Sequence, residues 1–225
     1  YTLHKGMDPS KDQSYFLAQL TEEQLTYSLF PIGSLHKQAV RQKARSLGLH
    51  TSDKKDSTGI CFIGAKRFKP FMETYMLRKP GPIVTLDGQQ IGTHDGLAYY
   101  TIGQRQGLNI GGLSFSQQLP WYVIKKDIKK RELIVAQGRD HPQLQRKNVP
   151  LNSIHWINYK PSDSILMTLE AKLRYRQLTA PCLLKTEDKR YFLNFQTPQW
   201  AVTPGQLAVL YSGTECLGSG FIAQT

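Results

Sequence analysis

The spacing of turns in the last third of the chain constrains its fold more than any other feature. Over 154–225, short apolar stretches alternate with turn residues roughly every 8 to 12 positions, a spacing typical of a small antiparallel barrel. On the stretch around Arg174, the period of two places Arg174 and Arg176 on one face and Tyr175 on the other. Two guanidinium groups on an exposed face suit phosphate contact, although an ordinary half-buried strand with Tyr175 in the core has the same pattern. The predicted strands are 166–169, 172–176, 182–184, 191–195, 207–211 and 218–222.

The preceding part of the chain mixes helical and strand patterns. Apolar residues at helical spacing predict helices over 37–47, where Gly48 is a good stop, and over 66–79, before Pro80. Strand patterns follow at 83–86, 121–124 and 132–135, and Asp87-Gly88 predicts a hairpin turn. The polar stretch 138–148 is typical of a linker. The fold class predicted is α+β.

The charge balance indicates a polyanionic partner. The 29 Lys and Arg residues outnumber the 17 Asp and Glu residues, which gives a formal net charge of +12. Nucleic acid is the commonest partner of such a surface, and an anionic membrane is the alternative. No basic amphipathic helix or lipidation motif supports the membrane alternative, and no stretch approaches the ~20 apolar residues of a membrane span. We therefore expect a soluble protein that binds RNA or DNA.

Cysteine usage points to a reducing compartment. The three cysteines, Cys61, Cys182 and Cys216, are odd in number and form no C-x-x-C pair, which argues against a disulfide scaffold and a zinc finger. We expect a cytoplasmic protein without a metal site, in which Cys182 and Cys216 pack in apolar strands. His94 beside Asp95 is not predicted to be an acid–base pair, because adjacent residues in a turn seldom face each other.

The segment 53–64 is the candidate for chemistry, with Cys61 at its centre. A cysteine reacts as its thiolate, and nearby positive charge and turn N–H groups lower its pKa. Lys54 and Lys55 supply the charge, and the turn residues at 56–59 supply candidate N–H donors. The alternative is a short buried strand at 60–63, in which Cys61 is an inert packing residue.

Several segments resemble one known family. The stretch Lys-Lys-Asp-Ser-Thr-Gly-Ile-Cys-Phe-Ile-Gly at 54–64 resembles the signature of the bacterial tRNA-specific 2-thiouridylases, the MnmA or TrmU family. Further similarity follows in the expected order at 6–17, 94–97, 100–105, 174–177 and 201–206. The resemblance covers nearly the whole chain.

The resemblance implies a function and a domain organisation. It implies thiolation of the wobble uridine of tRNAs for Lys, Glu and Gln, with Cys61 as the persulfide intermediate. Sulfur would come from a sulfur-relay protein or a cysteine desulfurase. It assigns tRNA contacts to Lys11, Asp12, Gln13, Arg174, Tyr175 and Gln206. The implied domains are the end of a nucleotide-binding domain at 1–66, a central α+β domain at 67–145 and a β-barrel tRNA-binding domain at 146–225.

The resemblance also implies parts that these residues do not include. The family's Ser-Gly-Gly-x-Asp-Ser type loop, which binds ATP with Mg²⁺, is nowhere in the sequence, and neither is its first catalytic cysteine. That cysteine would form a disulfide with Cys61 during sulfur release. We therefore expect the fragment alone to be inactive and to bind no cofactor. Two other classes stay open: a non-catalytic RNA-binding module, and a thiol redox or sulfur-carrier protein. For Asp12, a role as the cap of the next helix is the alternative to tRNA contact.

Overall fold

A computed structural model describes residues 1–56, 68–75, 78–111, 119–158, 166–187 and 190–224. Contacts divide the chain into two compact units. The first, which we call the barrel unit, comprises 1–55, 147–198 and 204–225. The second, the small-sheet unit, comprises 56–146 and 199–203. Within the described residues, no helix has the length and apolar character that crossing a bilayer requires.

A seven-stranded sheet forms the barrel unit. Its strands run in the order β1-β11-β10-β7-β8-β9-β6, and β11 also pairs with β6, which closes six of them into an antiparallel barrel. Their bounds are β1 Leu3–His4, β6 Gln145–Trp156, β7 Met167–Lys172, β8 Ala180–Glu187, β9 Arg190–Trp200, β10 Leu207–Ser212 and β11 Glu215–Ile222.

Glycines permit the closure of the barrel. A Cβ atom on Gly220 would lie 2.5 Å from the carbonyl oxygen of Ser153, and a Cβ atom on Gly218 would lie even closer to the carbonyl oxygen of His155. Only residues without side chains allow the β11 backbone to approach β6 so closely. This edge therefore depends on the Gly-Ser-Gly sequence of β11.

β10 is buried on both faces. Ala208 and Leu210 point to one side and Val209 and Tyr211 to the other, as the period of two requires, and all four are at 0% exposure. Val209 and Tyr211 pack against the amino-terminal segment, which contains α1 Ser14–Leu17 and α2 Glu22–Thr26. The two short helices thus cover one face of the barrel sheet.

α3, Lys37–Ser46, follows in the same unit. The carboxylate of Asp8 accepts a hydrogen bond from the Lys37 backbone N–H at 2.9 Å, which satisfies one of the free donors at the start of the helix. The helix ends at Ser46, and Gly48 just beyond its last turn has a φ of +66°, which suits glycine. The predicted helix 37–47 is confirmed.

The small-sheet unit holds a four-stranded sheet in the order β3-β2-β5-β4. Its strands are β2 Gly81–Val84, β3 Gln90–His94, β4 Trp121–Asp127 and β5 Glu132–Gln137, and α4 is Phe68–Tyr75. β2 pairs with β5 in parallel, and the other pairs are antiparallel. Two turns of 3-10 helix lie at Leu97–Tyr99 and Pro142–Leu144.

The α+β class and the antiparallel barrel are confirmed, and two local predictions are wrong. A strand was predicted at 172–176, but β7 ends at Lys172. The residues that follow form a turn, in which the backbone N–H of Gln177 donates to the carbonyl oxygen of Arg174 at 3.1 Å. The chain must turn there because Ala171 pairs with Ala180 at the start of β8. The predicted linker 138–148 contains buried Leu144 and the start of β6. The predicted domain bounds 1–66, 67–145 and 146–225 stay a prediction.

Candidate RNA-binding face

The cysteine segment lies mostly outside the described residues. Residues 57–67, including Cys61, are among those that the structure does not describe. The stretch just before them is tied to α3: Arg45 donates to the Asp53 carboxylate at 2.6 Å and Arg41 to the Lys54 carbonyl at 3.2 Å. The guanidinium of Arg45 lowers the pKa of Asp53. The catalytic role of Cys61 stays a prediction.

The turn at 8–13 is held by a buried carboxylate. Asp12 is only 6% exposed. Its Oδ1 accepts from the backbone N–H groups of Gly6, at 3.1 Å, and Ser14, at 3.0 Å, and its Oδ2 accepts from the Ser14 hydroxyl at 3.0 Å. Lys11 and Gln13 on either side are exposed. The carboxylate thus fixes the backbone from which the two flanking side chains project.

An ion pair links this turn to the end of β7. Lys172 Nζ lies 3.7 Å from Asp12 Oδ2, and the two side chains are 12% and 5% exposed. A second lysine, Lys5, lies 3.4 Å from Glu170 on the same strand and 4.5 Å above the ring of Tyr211. Both carboxylates near the end of β7 therefore have a lysine partner.

Arg174 and Tyr175 lie in the turn that follows β7. Burial lowers the pKa of Arg174, and it raises the pKa of Tyr15, whose hydroxyl is near enough to interact with the Arg174 charge. Tyr175 is half-buried, and its ring lies 6.2 Å from the ring of Tyr15 and 4.4 Å from that of Phe16. Arg176 is exposed. The sequence predicts Arg174 and Arg176 on one face of a strand. This prediction is wrong, because both residues lie in a turn.

Strand register brings Gln206 to the same place. Val209 of β10 pairs with Lys172 of β7 in antiparallel register, so Gln206, just before β10, and Arg174, just after β7, lie at the same end of this strand pair. Tyr15 confirms the proximity, since its hydroxyl donates to the Leu207 carbonyl at 3.0 Å. Gln206 Oε1 is buried and has no hydrogen-bond partner in the part of the chain that the structure describes.

Segments distant in sequence thus converge on Tyr15. We call this surface the Tyr15 face and define it as Lys11, Gln13, Phe16, Arg174, Tyr175, Arg176 and Gln206. It combines cationic, amide and aromatic side chains, the groups that bind phosphates, base edges and base faces of RNA. Sequence reasoning missed Phe16 and Lys172. No sequence signal marks either, because Phe16 resembles a core residue and Lys172 resembles a solvated one.

The remaining candidates have structural surroundings. His94 is 2% exposed and its Nε2 lies 2.9 Å from the carbonyl oxygen of Arg131, whereas Asp95 binds Arg78. Cys182 and Cys216 are buried, as predicted, and burial raises the pKa of each thiol to about 12. Within the described ranges, no three His, Cys, Asp or Glu residues cluster as a metal site.

Three family models match the chain in order. They are the tRNA methyl transferase HUP domain at residues 1–65, the tRNA methyl transferase PRC-barrel domain at 69–137, and the aminomethyltransferase beta-barrel domain at 146–222. The tRNA-specific 2-thiouridylase MnmA of Escherichia coli strain SMS-3-5 is 49% identical over 223 residues, which is 99% of this chain. The MnmA of Haemophilus influenzae is 50% identical over 224 residues.

The chain belongs to the MnmA family of tRNA-specific 2-thiouridylases. It spans 60% of the length of the Escherichia coli relative and 58% of that of the Haemophilus influenzae relative. The match extends over both units, so the MnmA family relation covers the Tyr15 face as well as the Cys61 segment.

Proposed function

We propose that this chain is the tRNA-binding and sulfur-carrying part of a 2-thiouridylase that acts on the wobble uridine of tRNAs for Lys, Glu and Gln. The convergence of three segments on Tyr15 supports the RNA-binding half of this proposal. Cys61, in its signature at 54–64, supports the sulfur half. The descriptions of the first two models mention methyl transfer and that of the third mentions aminomethyl transfer. The names of the MnmA relatives and the resemblance of 54–64 to the 2-thiouridylase signature favour sulfur transfer instead.

The proposed binding mode assigns different work to the residues of the Tyr15 face. Arg174 contacts phosphate, because a half-buried guanidinium in a turn has little freedom to lose on binding. Gln206, which is half-buried just before β10, contacts the RNA with the exposed part of its side chain. Lys11 and Gln13 contact the backbone, and Asp12 serves binding by holding both in place through its three hydrogen bonds.

The proposed chemistry passes sulfur through Cys61. A sulfur-relay protein or a cysteine desulfurase loads Cys61 as a persulfide. The outer sulfur attacks C2 of a flipped uridine whose C2 oxygen has been adenylated, and that oxygen leaves with AMP, so that the outer sulfur joins C2 to Cys61. A second cysteine then breaks the sulfur–sulfur bond and forms a disulfide with Cys61, which must be reduced before the next turnover. A reducing cytoplasm is part of this proposal. ATP with Mg²⁺ would supply the adenylate that activates the C2 oxygen, and we assign neither to any residue of this chain.

The decisive experiment replaces Cys61 with Ser in the natural sequence context of the chain and measures tRNA nucleosides by mass spectrometry. We expect 2-thiouridine to disappear while tRNA affinity persists. Cys182→Ala is the matched control, because that thiol packs in the barrel, and it should leave 2-thiouridine in place. Full thiolation by the Cys61→Ser variant would leave only an RNA-binding module, and a methylated nucleoside instead of 2-thiouridine would replace sulfur transfer with methyl transfer.

Binding of tRNA by the 225-residue chain alone tests the other half. Phosphate contacts make affinity fall steeply with added salt, and Arg174→Ala should weaken binding and lower the salt slope by about 1. An affinity that is indifferent to salt would favour a sulfur-carrier protein without an RNA substrate. The chain alone is expected to bind tRNA without thiolating it.

A further inference from the structure

An aromatic pair on the Tyr15 face has one exposed partner. Phe16 is 57% exposed, and its ring centroid lies 4.4 Å from that of Tyr175 at an interplanar angle of 42°. Beneath the pair, Tyr15 meets Phe16 edge-on at 5.6 Å and 89°. Tyr15 is only 8% exposed and is anchored by its bond to the Leu207 carbonyl. The pair therefore lies on a fixed base.

Exposure of one phenylalanine is not unusual, and its surroundings carry the argument. Single apolar residues occur on most protein surfaces. In the turn just before Phe16, however, the carboxylate of Asp12 is matched by the ammonium group of Lys172 at 3.7 Å. The turn that supplies Tyr175 adds Arg174 and Arg176. An exposed ring in a positively charged setting has the composition of a surface for single-stranded nucleic acid.

We propose that Phe16 and Tyr175 form a platform on which an unpaired base of the tRNA stacks, while the adjacent arginines bind the flanking phosphates. The inference rests on the proposed function and adds a contact residue, Phe16, and a mode of binding to it. Stacking suits this site because every base has a π face, and an aromatic ring can receive it without a hydrogen-bond code. A neutral peptide or a zwitterionic lipid would use the apolar ring but leave the cations without a matching polyanion.

Phe16→Leu is the most informative variant. Leucine preserves apolar contact with Tyr175 and removes the π face. Loss of one stacked base weakens binding by about 5- to 150-fold. The salt slope should not change, because no phosphate contact is lost, whereas Arg176→Ala should lower that slope by about 1. Phe16→Trp should retain most of the affinity.

A matched control and a second ligand separate stacking from general damage. Tyr27→Leu removes another aromatic ring of the barrel unit, 87% exposed and without a ring contact among the described residues, and should leave tRNA affinity unchanged. A blunt RNA duplex offers phosphates but no unpaired bases. We expect Phe16→Leu to weaken tRNA binding and leave duplex binding as it is. Thermal unfolding of each variant verifies that the barrel unit is intact.

The outcomes are distinct from those that test the proposed function. If Arg174→Ala weakens tRNA binding and both Phe16→Leu and Phe16→Ala bind as wild type, Phe16 is only a packing residue and the platform is refuted. Equal losses for tRNA and duplex, or a changed salt slope, would also overturn it, because Phe16 would then act by positioning the arginines. If the wild-type chain binds no tRNA at all, the proposed function fails, and the platform with it.

Discussion

Replacing Asp12 should destabilise the barrel unit and misplace the Tyr15 face at the same time. The carboxylate accepts three hydrogen bonds at 3.0 to 3.1 Å and lies 3.7 Å from the Lys172 ammonium. Both side chains are nearly buried, so removal of one charge leaves the other without its partner in a place that water hardly reaches. The pair should therefore matter far more than an ion pair on the surface.

The magnitude follows from burial and from the number of bonds. Loss of one partner of a buried pair costs about 3 to 5 kcal/mol in the free energy of unfolding, which corresponds to a fall in Tm of roughly 6 to 20 °C. Asp12→Asn retains an acceptor for the backbone donors and should lie at the lower end. Asp12→Ala also leaves those donors unsatisfied, at about 1 to 3 kcal/mol for each, and should be the more damaging variant.

Urea denaturation followed by near-ultraviolet circular dichroism measures these effects. The double variant Asp12→Asn/Lys172→Met removes both charges, and it should be more stable than the sum of the single effects by about 0.5 to 3 kcal/mol. Glu170→Gln is the matched control, because that carboxylate is 40% exposed and its pair with Lys5 should contribute about 0 to 1 kcal/mol. Strictly additive single and double variants would refute the argument that the buried pair is a coupled unit.

Three further predictions follow from local geometry. Gly103→Ala and Gly107→Ala both place alanine at a positive φ, +82° and +79°, but only the Cβ at position 103 would lie within 3 Å of neighbouring side chains. Gly103→Ala should therefore lower the Tm of the small-sheet unit by several degrees more than Gly107→Ala does, and equal effects of the two variants would contradict this. The thiols of Cys182 and Cys216, with a pKa of about 12, should resist iodoacetamide at pH 8 in the native chain and react after denaturation, and native labelling at the rate of a free cysteine would contradict their burial. The Asp8 carboxylate has its pKa lowered from 3.8 to about 2, chiefly by the first backbone N–H of α3. Its stabilisation of that helix is therefore fully present above pH 3.8 and is lost as the pH falls through about 2. The protection factors of the α3 amides, which correct for the intrinsic pH dependence of exchange, should fall over that window, and Asp8→Asn should remove this fall.

The sequence predicts the pieces of the site better than their arrangement. Alternating hydrophobicity identifies strands that have one face in the core, such as β7, in which Leu169 and Ala171 are buried and the residues between and beside them are not. The same alternation was wrongly extended past Lys172, because Arg174 and Tyr175 continue the pattern of a strand although the chain there already turns toward β8. Tertiary pairing, in this case Ala171 with Ala180, decides where a strand ends.

Burial of polar residues is the other property that local patterns do not contain. An aspartate in a Pro- and Asp-containing turn is usually solvated, and nothing near Asp12 in sequence predicts that Lys172, 160 positions later, covers it. Phe16 is the converse case, since an aromatic residue in a short amphipathic stretch is usually buried. Both depend on which surface the first two helices cover, and that is a property of the closed barrel.

Register explains why residues so far apart in sequence form one face. In β10, Leu210 and Tyr211 are fully buried on opposite faces, so a slip of one residue against β7 would place the phenol of Tyr211 in the barrel interior and break its bond with Ser14. The same register places the start of β10, whose Leu207 carbonyl anchors Tyr15, at the end of β7 from which the turn with Arg174 begins. The position of Gln206 relative to Arg174 and Tyr175 is therefore set by the packing of the buried residues of β10 that follow it in the chain. Changes in that core should alter RNA binding even though no core residue touches RNA.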